Sequence, residues 1–248
     1  MELVSIIVPS FNSESFIMDT ISSIQNQSYE NWELLVTDDC SSDNTVGIIK
    51  KYMKKDARIK LFQFKENQGA GVARNNSIKM SIGRYIAFCD SDDQWKSEKL
   101  KVQIAFMLEN NLALSYTNYD VIDEMGNYKG LVKSPIKATF KKLLNNNYIG
   151  CLTAIYDTKK IGKKYMPKMR KRQDWALWLS ILKDIKYGMG INNSLAIYRD
   201  RSNSISSNKF KLIKYNYILY HEELKFSKIK SFFYVINFML HYAYKKIK

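Results

Sequence analysis

Arg84-Tyr85-Ile86-Ala87-Phe88-Cys89-Asp90-Ser91-Asp92-Asp93 joins a short aromatic and aliphatic run to three carboxylates in four positions. The run follows a helix stop at Gly83 and reads as a buried strand. Its acids therefore lie at a strand's carboxyl end, where open α/β sheets place their ligands. Negative charge at that density asks for a positive partner. Hard oxygen ligands suit Mg²⁺ or Mn²⁺, which take one or two carboxylates and fill their remaining positions with water and phosphate oxygens. Alternation along an extended chain turns Asp90 and Asp92 to one side, so both could face one ion. The competing reading uses the acids to cap a helix beginning near Ser97.

The flanking sequence repeats this arrangement. Residues 3–9 are a β-branched run ended by Pro9, residues 32–37 a second strand closing in Asp38-Asp39-Cys40-Ser41-Ser42-Asp43, and residues 59–64 a third. A helix capped by Ser13 carries Phe16, Ile17, Ile21 and Ile24 at helical spacing. Further helices are expected over 44–55 and, after the flexible Gly69-Ala70-Gly71 turn, over 72–82. Strands alternating with helices imply βαβ units, right-handed crossovers and an α/β fold with a mainly parallel sheet flanked by helices. After a helix over 97–109 and a strand over 112–119 the alternation loosens. A hairpin at Glu124-Met125-Gly126-Asn127, a Lys-rich helix around Lys141-Lys142 and a strand over 151–156 follow.

Three cysteines, Cys40, Cys89 and Cys151, are odd in number and far apart, which fits a reducing compartment better than a disulfide framework. Two histidines, both late in the chain, make a His/Cys zinc site improbable. The net charge of +15 is uneven: residues 1–119 carry 13 basic against 15 acidic side chains, residues 137–172 carry 11 against 1, and residues 201–248 carry 10 against 2. A neutral first half and a cationic second half point to an anionic partner for the latter, with membrane headgroups and nucleic acid both eligible. Met1-Glu2 lacks the positive start of a secretion signal.

Three further side chains stand out. Asp39 either hydrogen-bonds a nucleotide base or ribose, or caps the next helix, a task that Ser41, Ser42 and Asp43 could fill without it. Arg74 near a helix start opposes the macrodipole, which a phosphate or ribose partner would explain. Asp174, in Lys171-Arg172-Gln173-Asp174-Trp175, is either an N-cap for a helix burying Trp175, Trp178 and Leu179, or a catalytic carboxylate. No P-loop or G-x-G-x-x-G follows the first strand, so a nicotinamide or flavin cofactor is disfavoured.

Taken together, Val4-Ser5-Ile6-Ile7-Val8-Pro9-Ser10-Phe11-Asn12, Asp38-Asp39-Cys40-Ser41-Ser42-Asp43-Asn44-Thr45, Asn67-Gln68-Gly69 with Ala73-Arg74-Asn75, and Asp90-Ser91-Asp92-Asp93 resemble the family 2 glycosyltransferases of GT-A fold. Order, spacing and strand-end placement match across residues 1–110. Arg172-Gln173-Asp174-Trp175, Tyr198-Arg199 and Ser204-Ile205-Ser206 extend a weaker likeness to about residue 206. The resemblance implies a catalytic domain over 1–206, its nucleotide-binding half 1–119 and its acceptor half 120–206, with 207–248 a helical basic C-terminal segment. It implies that Pro9, Phe11, Asp39, Arg74 and Arg199 line the nucleotide site, that Asp90 meets ribose or metal, and that Asp92 holds the Mn²⁺ or Mg²⁺ bridging a diphosphate. Asp174 matches the aspartate of the family's Glu-Asp pair, the catalytic base of inverting members. Gln173 stands where that pair has Glu, Cys40 where glycine is common, and the processive pattern Gln-x-x-Arg-Trp is absent.

The expected activity is metal-dependent, inverting transfer from a nucleotide-sugar, foremost a UDP-sugar, to a glycan or lipid-linked saccharide in bacterial surface-polysaccharide synthesis. A sugar-1-phosphate nucleotidyltransferase would want a glycine-rich basic loop where Ser10-Phe11-Asn12 stands. A non-catalytic nucleic-acid-binding module has only the net charge in its favour. The expected place is cytoplasmic and peripheral on the membrane's inner face, with no nucleic-acid partner and with oligomers allowed. Residues 232–244, apolar and aromatic between lysines, are too few to span a bilayer, which needs about 20. They fit either a helix lying in an anionic interface or a helix packed on the domain or on a partner subunit.

Overall fold

In the computed structural model the alternation is realised as four parallel strands, and residues 1–201 and 209–247 are described, the side chains of 209–211 and 241–247 excepted. β1 (Val4–Ser10), β2 (Trp32–Asp38), β3 (Ile59–Gln63) and β4 (Tyr85–Phe88) lie in the order 3-2-1-4. Each neighbouring pair is parallel. α1 (Ile17–Gln25), α2 (Thr45–Met53) and α3 (Ala70–Met80) make the crossovers. Because helices cover both faces, β1, β2 and β4 are buried along their whole length, and continuous apolar runs suit such strands. Alternation divides the core: Ile7, Leu35, Ile86 and Phe88 face one apolar cluster, while Val4, Ile6, Val8, Leu34 and Val36 face the other.

The second half continues the same sheet in mixed sense. β9 (Ile155–Asp157) runs antiparallel to β4 and to β6 (Leu114–Ile122), and β6 pairs in parallel with β10 (Gly188–Arg199). β5 (Gln94–Trp95), β7 (Tyr128–Val132) and β8 (Lys137–Ala138) fill the margin. Several expected boundaries move. The strand placed over 112–119 begins at Leu114 and runs to Ile122, because Asn111 turns the chain at φ 51° and β7 extends the pairing beyond residue 119. Cys151–Thr153 form a 3₁₀ turn, leaving β9 shorter than the strand expected over 151–156. The twelve-residue β10 was not foreseen at all.

Two capping expectations also change. Ser13 does not cap α1 with its side chain: its Oγ donates to the Phe11 carbonyl at 3.1 Å and lies 2.7 Å from Ser91 Oγ. α4 (Lys99–Glu109) starts after Glu98 with no side-chain cap, so Asp90, Asp92 and Asp93 are not its cap. After α5 (Phe140–Leu143) and α6 (Thr158–Ile161), α7 (Gln173–Asp184) packs Trp178 edge-on against Phe88, ring centroids 5.5 Å apart. This contact sets the start of α7 beside the strand end that carries the acids.

The chain closes with α8 (Lys209–Ile218), a π-helical turn over Leu219–Glu223 and α9 (Lys228–Ile247). One face of α9 buries Val235 and Phe238 in the cluster that holds α7. The other exposes Ile229, Phe232, Phe233, Ile236, Met239 and Leu240. Packing and an outward apolar face thus coexist on one helix. The expected boundary at 206/207 and Ser204-Ile205-Ser206 lie outside the described residues.

Lys99 is fully buried, with Gln103 Oε1 at 2.8 Å and the Trp95 ring 4.3 Å from its ammonium. Burial pushes its pKa down from 10.5 to about 7. The unfolded chain therefore binds one proton more between those values, so stability rises with pH across that window, and the penalty is complete below it. Lys99→Met removes the buried charge and is expected to stabilise the fold at pH 7, by up to about 1–4 kcal/mol less the cost of leaving Gln103 Oε1 without its donor. Urea melts at pH 7 and pH 9.5 should show that advantage shrinking at the higher pH. A gain independent of pH would show that Lys99 keeps its proton in the folded protein across that range.

Candidate active site

The site forms where β1, β2 and β4 end and α7 begins. Pro9 and the buried Ser10 close β1, and Phe11 beyond them is half exposed. Asp38 is committed to the fold: its carboxylate accepts from Ser10 Oγ at 2.9 Å and from the Ser41 amide at 2.9 Å. Asp39, 2% exposed, accepts from the Gln68 and Gly69 amides, each at 2.7 Å. Gly69 at φ 96° lets two successive N–H groups meet one carboxylate. Asp39 therefore fixes the loop entering α3, and any ligand it meets finds it already oriented.

Arg74 lies one turn inside α3 and is 7% exposed. Its Nη2 donates to Asp90 Oδ1 at 2.5 Å and its Nη1 to Gln173 Oε1 at 3.2 Å. Asp90 thus supplies the partner that the sequence reading sought in a phosphate or ribose. Burial works against the arginine's charge, but the field and hydrogen bond of Asp90, with the field of Asp174, outweigh it and hold the guanidinium protonated beyond its usual range. Gln173 also donates to the Met169 carbonyl at 2.6 Å and comes within 2.9 Å of where a Cβ on Gly71 would stand. The departure from Glu at position 173 therefore places a neutral amide on Arg74, and Asp90 remains that arginine's ion-pair partner.

Past β4 the chain bends instead of running on extended: the Asp93 amide reaches back to the Asp90 carbonyl at 3.1 Å. Simple alternation does not relate Asp90 to Asp92. Both stay partly open, their side chains 32% and 24% exposed, and Arg201 Nη1 reaches Asp92 Oδ2 at 2.9 Å. Burial, followed by the charge of Asp90, pushes the Asp92 carboxyl up, against the pull of Arg201. Asp93 has no exposure to spare: it accepts the Arg199 amide at 3.0 Å, and burial raises its carboxyl well above the ordinary range.

Two neighbouring carboxylates that repel each other, hard in character and open on one side, fit a divalent cation. Among the described residues no group of three or more His, Cys, Asp or Glu could hold one. An ion that takes most of its shell from water and phosphate needs no such group. Arg199 is 5% exposed and reaches Asp19 Oδ2 at 3.1 Å, the Asp92 carbonyl at 3.2 Å and the Glu124 carbonyl at 3.0 Å. It braces the acidic turn from β10.

Asp174 is not an N-cap. The cap position is Arg172, left-handed at φ 66°, and Asp174 stands in the first turn of α7. Its Oδ2 accepts from Asn147 Nδ2 at 2.8 Å. Trp175, Trp178 and Leu179 are fully buried, as the helical spacing requires. Arg74 thus joins the acidic strand end to the start of α7, meeting Asp90 on one side and Gln173, the residue before Asp174, on the other. Arg201 and Asn147 were missed from sequence. Arg201 lies two residues past Arg199, whereas Asn147 sits in an Asn-rich loop with no pattern to mark it.

Residues 5–166 match the family model described as Glycosyl transferase family 2. Over 221 residues the chain is 44% identical to a teichuronic acid biosynthesis glycosyltransferase, TuaG, of Bacillus subtilis (strain 168), covering 89% of this chain and 88% of that one. Over 246 residues it is 42% identical to UDP-Glc:alpha-D-GlcNAc-diphosphoundecaprenol beta-1,3-glucosyltransferase WfgD of Escherichia coli, covering 96% and 92%. The fold superposes on S. aureus TarS 1-349 in complex with UDP-GlcNAc at a TM-score of 0.76 and 22% identity, covering 96% of this chain and 72% of that one.

Proposed function

The chain belongs to glycosyl transferase family 2, and from that footing we propose that it is a metal-dependent, inverting transferase. It moves one sugar from a UDP-sugar to a hydroxyl of a lipid-linked saccharide during synthesis of a bacterial surface polysaccharide. The observation that carries this reading is the setting of Asp174: it is not the helix cap, it is held by a neutral amide, and its neighbour Gln173 shares Arg74 with Asp90 of the acidic strand end. The relatives support the rest by their names. WfgD is named as making a β-1,3 linkage from UDP-Glc to alpha-D-GlcNAc-diphosphoundecaprenol, and TuaG is named for teichuronic acid biosynthesis.

In this reading the acceptor hydroxyl attacks the anomeric carbon while Asp174 takes its proton, and the bond to the diphosphate breaks on the opposite face. Asp92, with Asp90 beside it, would hold Mg²⁺ or Mn²⁺, which supplies charge neutralisation to the departing diphosphate. Pro9, Phe11 and the loop oriented by Asp39 border the nucleotide, and Arg74 keeps Asp90 in place. Arg199 serves the nucleotide site by bracing the turn that carries Asp92.

We assign α9 to the membrane surface. No helix among the described residues is long and apolar enough to cross a membrane. The outward face of α9 nevertheless exposes two phenylalanines and four aliphatic side chains, with exposed Lys228 and Lys230 at its start. Such a face suits the headgroup boundary, and the lysines suit anionic lipid. In this reading the enzyme works at the inner face of the membrane, where its acceptor is anchored.

One preparation tests both parts. The purified protein is mixed with a polyprenyl-diphosphate saccharide in anionic or neutral vesicles and supplied with a series of UDP-sugars. Transfer with anomeric inversion, and sedimentation with anionic vesicles that salt weakens, are the expected results. Hydrolysis of no donor, or a product that retains configuration, would overturn the catalytic reading. Absence from the vesicle pellet at low salt would assign the outer face of α9 to another protein surface.

A further inference from the structure

We propose that Asn147 is the positioning residue for the Asp174 base, and that α9 anchors it. This rests on the assignment of Asp174 as base and goes beyond it. The amide of Asn147 has a determined orientation: its Oδ1 accepts the Ile149 amide at 3.2 Å, so its Nδ2 is the end that meets Asp174 Oδ2 at 2.8 Å.

The loop that carries Asn147 is fastened on three sides. Trp175 Nε1 donates to the Leu143 carbonyl at 2.8 Å, the Tyr220 hydroxyl donates to the Leu144 carbonyl at 2.6 Å, and Asn237 of α9 donates to Asn145 Oδ1 at 2.6 Å. Tyr220 lies in the π-helical turn that leads into α9. The C-terminal helices therefore reach the base through two short links, Asn237 to the loop and Asn147 to the carboxylate.

The chemistry explains why the partner is an amide. A base must be oriented without being neutralised, and a neutral N–H donor does this where a guanidinium would form an ion pair and hold the carboxylate's charge. Arg172 is the cation placed to do that harm, two residues before Asp174. Its Nε instead donates to Asn216 Oδ1 at 3.1 Å, and its guanidinium lies 5.4 Å from the Trp175 ring centroid and 5.2 Å from that of Phe238. Phe238 belongs to α9, so the same helix that steadies the Asn147 loop also holds Arg172 to aromatic and amide partners.

The test uses the full chain with a UDP-sugar and a saccharide acceptor. Asn147→Asp keeps the size of the side chain and removes the donor. It is expected to lower kcat about 10–100-fold, the scale of a misplaced catalytic group, with donor KM within about twofold. Asn237→Ala should lower kcat in the same sense by about 3–10-fold, the smaller effect of loosening the loop. In an Asp174→Asn background, Asn147→Asp should cost nothing further, because a residue that acts only through the base has nothing left to position.

Equal losses in both backgrounds, or wild-type kcat in Asn147→Asp, would overturn the proposal. Should Asn147→Asp lose UDP affinity, Asn147→Ala decides, since it removes the donor without adding a charge, and an unchanged kcat there ends the proposal. If Asp174→Asn itself retains activity, the base assignment fails first. If Asp174→Asn collapses while Asn147→Asp does not, only the positioning role is lost.

Discussion

Asp174→Asn is expected to lower kcat by about 10²–10⁴ while leaving donor affinity unchanged, the signature of a lost general base. The substitution keeps the shape of the side chain and an oxygen that can accept from Asn147, so the start of α7 should survive. It removes the one property that the reaction needs, a carboxylate able to take the acceptor's proton. A capping role forecasts otherwise, since Asn is as good an N-cap as Asp, and Arg172 already occupies the cap position. Steady-state kinetics with UDP titrated in parallel would settle the matter. Near-normal turnover removes Asp174 from the chemistry, and a large loss of UDP affinity moves it into the nucleotide site.

Asp92→Asn should nearly abolish transfer, by on the order of 10³-fold or more, and chelation of the parent enzyme should match it. Asp92 is the carboxylate beside Asp90 whose charge burial makes costly, with Arg201 as its present counter-charge. The amide can still accept from Arg201, so the turn stays folded while affinity for the ion falls. Calorimetric titration with Mn²⁺ provides a readout apart from turnover: the parent should bind and Asp92→Asn should not. Full-rate transfer in excess EDTA would exclude the divalent ion. Asp93 makes the contrasting control. Buried against the Arg199 amide, it belongs to the fold, and its loss should appear first as a lower melting temperature.

Family membership is shown for the chain as a whole, and the contacts of Pro9, Asp39, Arg74, Asp90 and Asp92 are those of this structure. Their contacts in this chain then divide the work. Asp38, Asp93 and Arg199 spend their hydrogen bonds on the protein and set the shape of the cleft. Asp90 and Asp92 keep their side chains partly exposed beside their arginine partners, and Asp174 gives one oxygen to a neutral amide.

The parallel half of the sheet, its order of strands and helices, and the strand-end acids were legible in the sequence because each depends on local rules. A buried parallel strand must be an apolar run, a crossover must be a helix, and a run such as Tyr85-Ile86-Ala87-Phe88 must stop where the carboxylates begin. The partner of Arg74, the turn that separates Asp90 from Asp92, the amide on Asp174 and the two-faced α9 were decided only in three dimensions. Arg74 and Gln173 are 99 residues apart, Arg201 and Asp92 109, and Asn147 and Asp174 27. No periodicity spans such distances. A hydrogen bond or an ion pair at 3 Å is set by how strands and helices pack, and the same Asn or Arg would read identically in the sequence had it faced water.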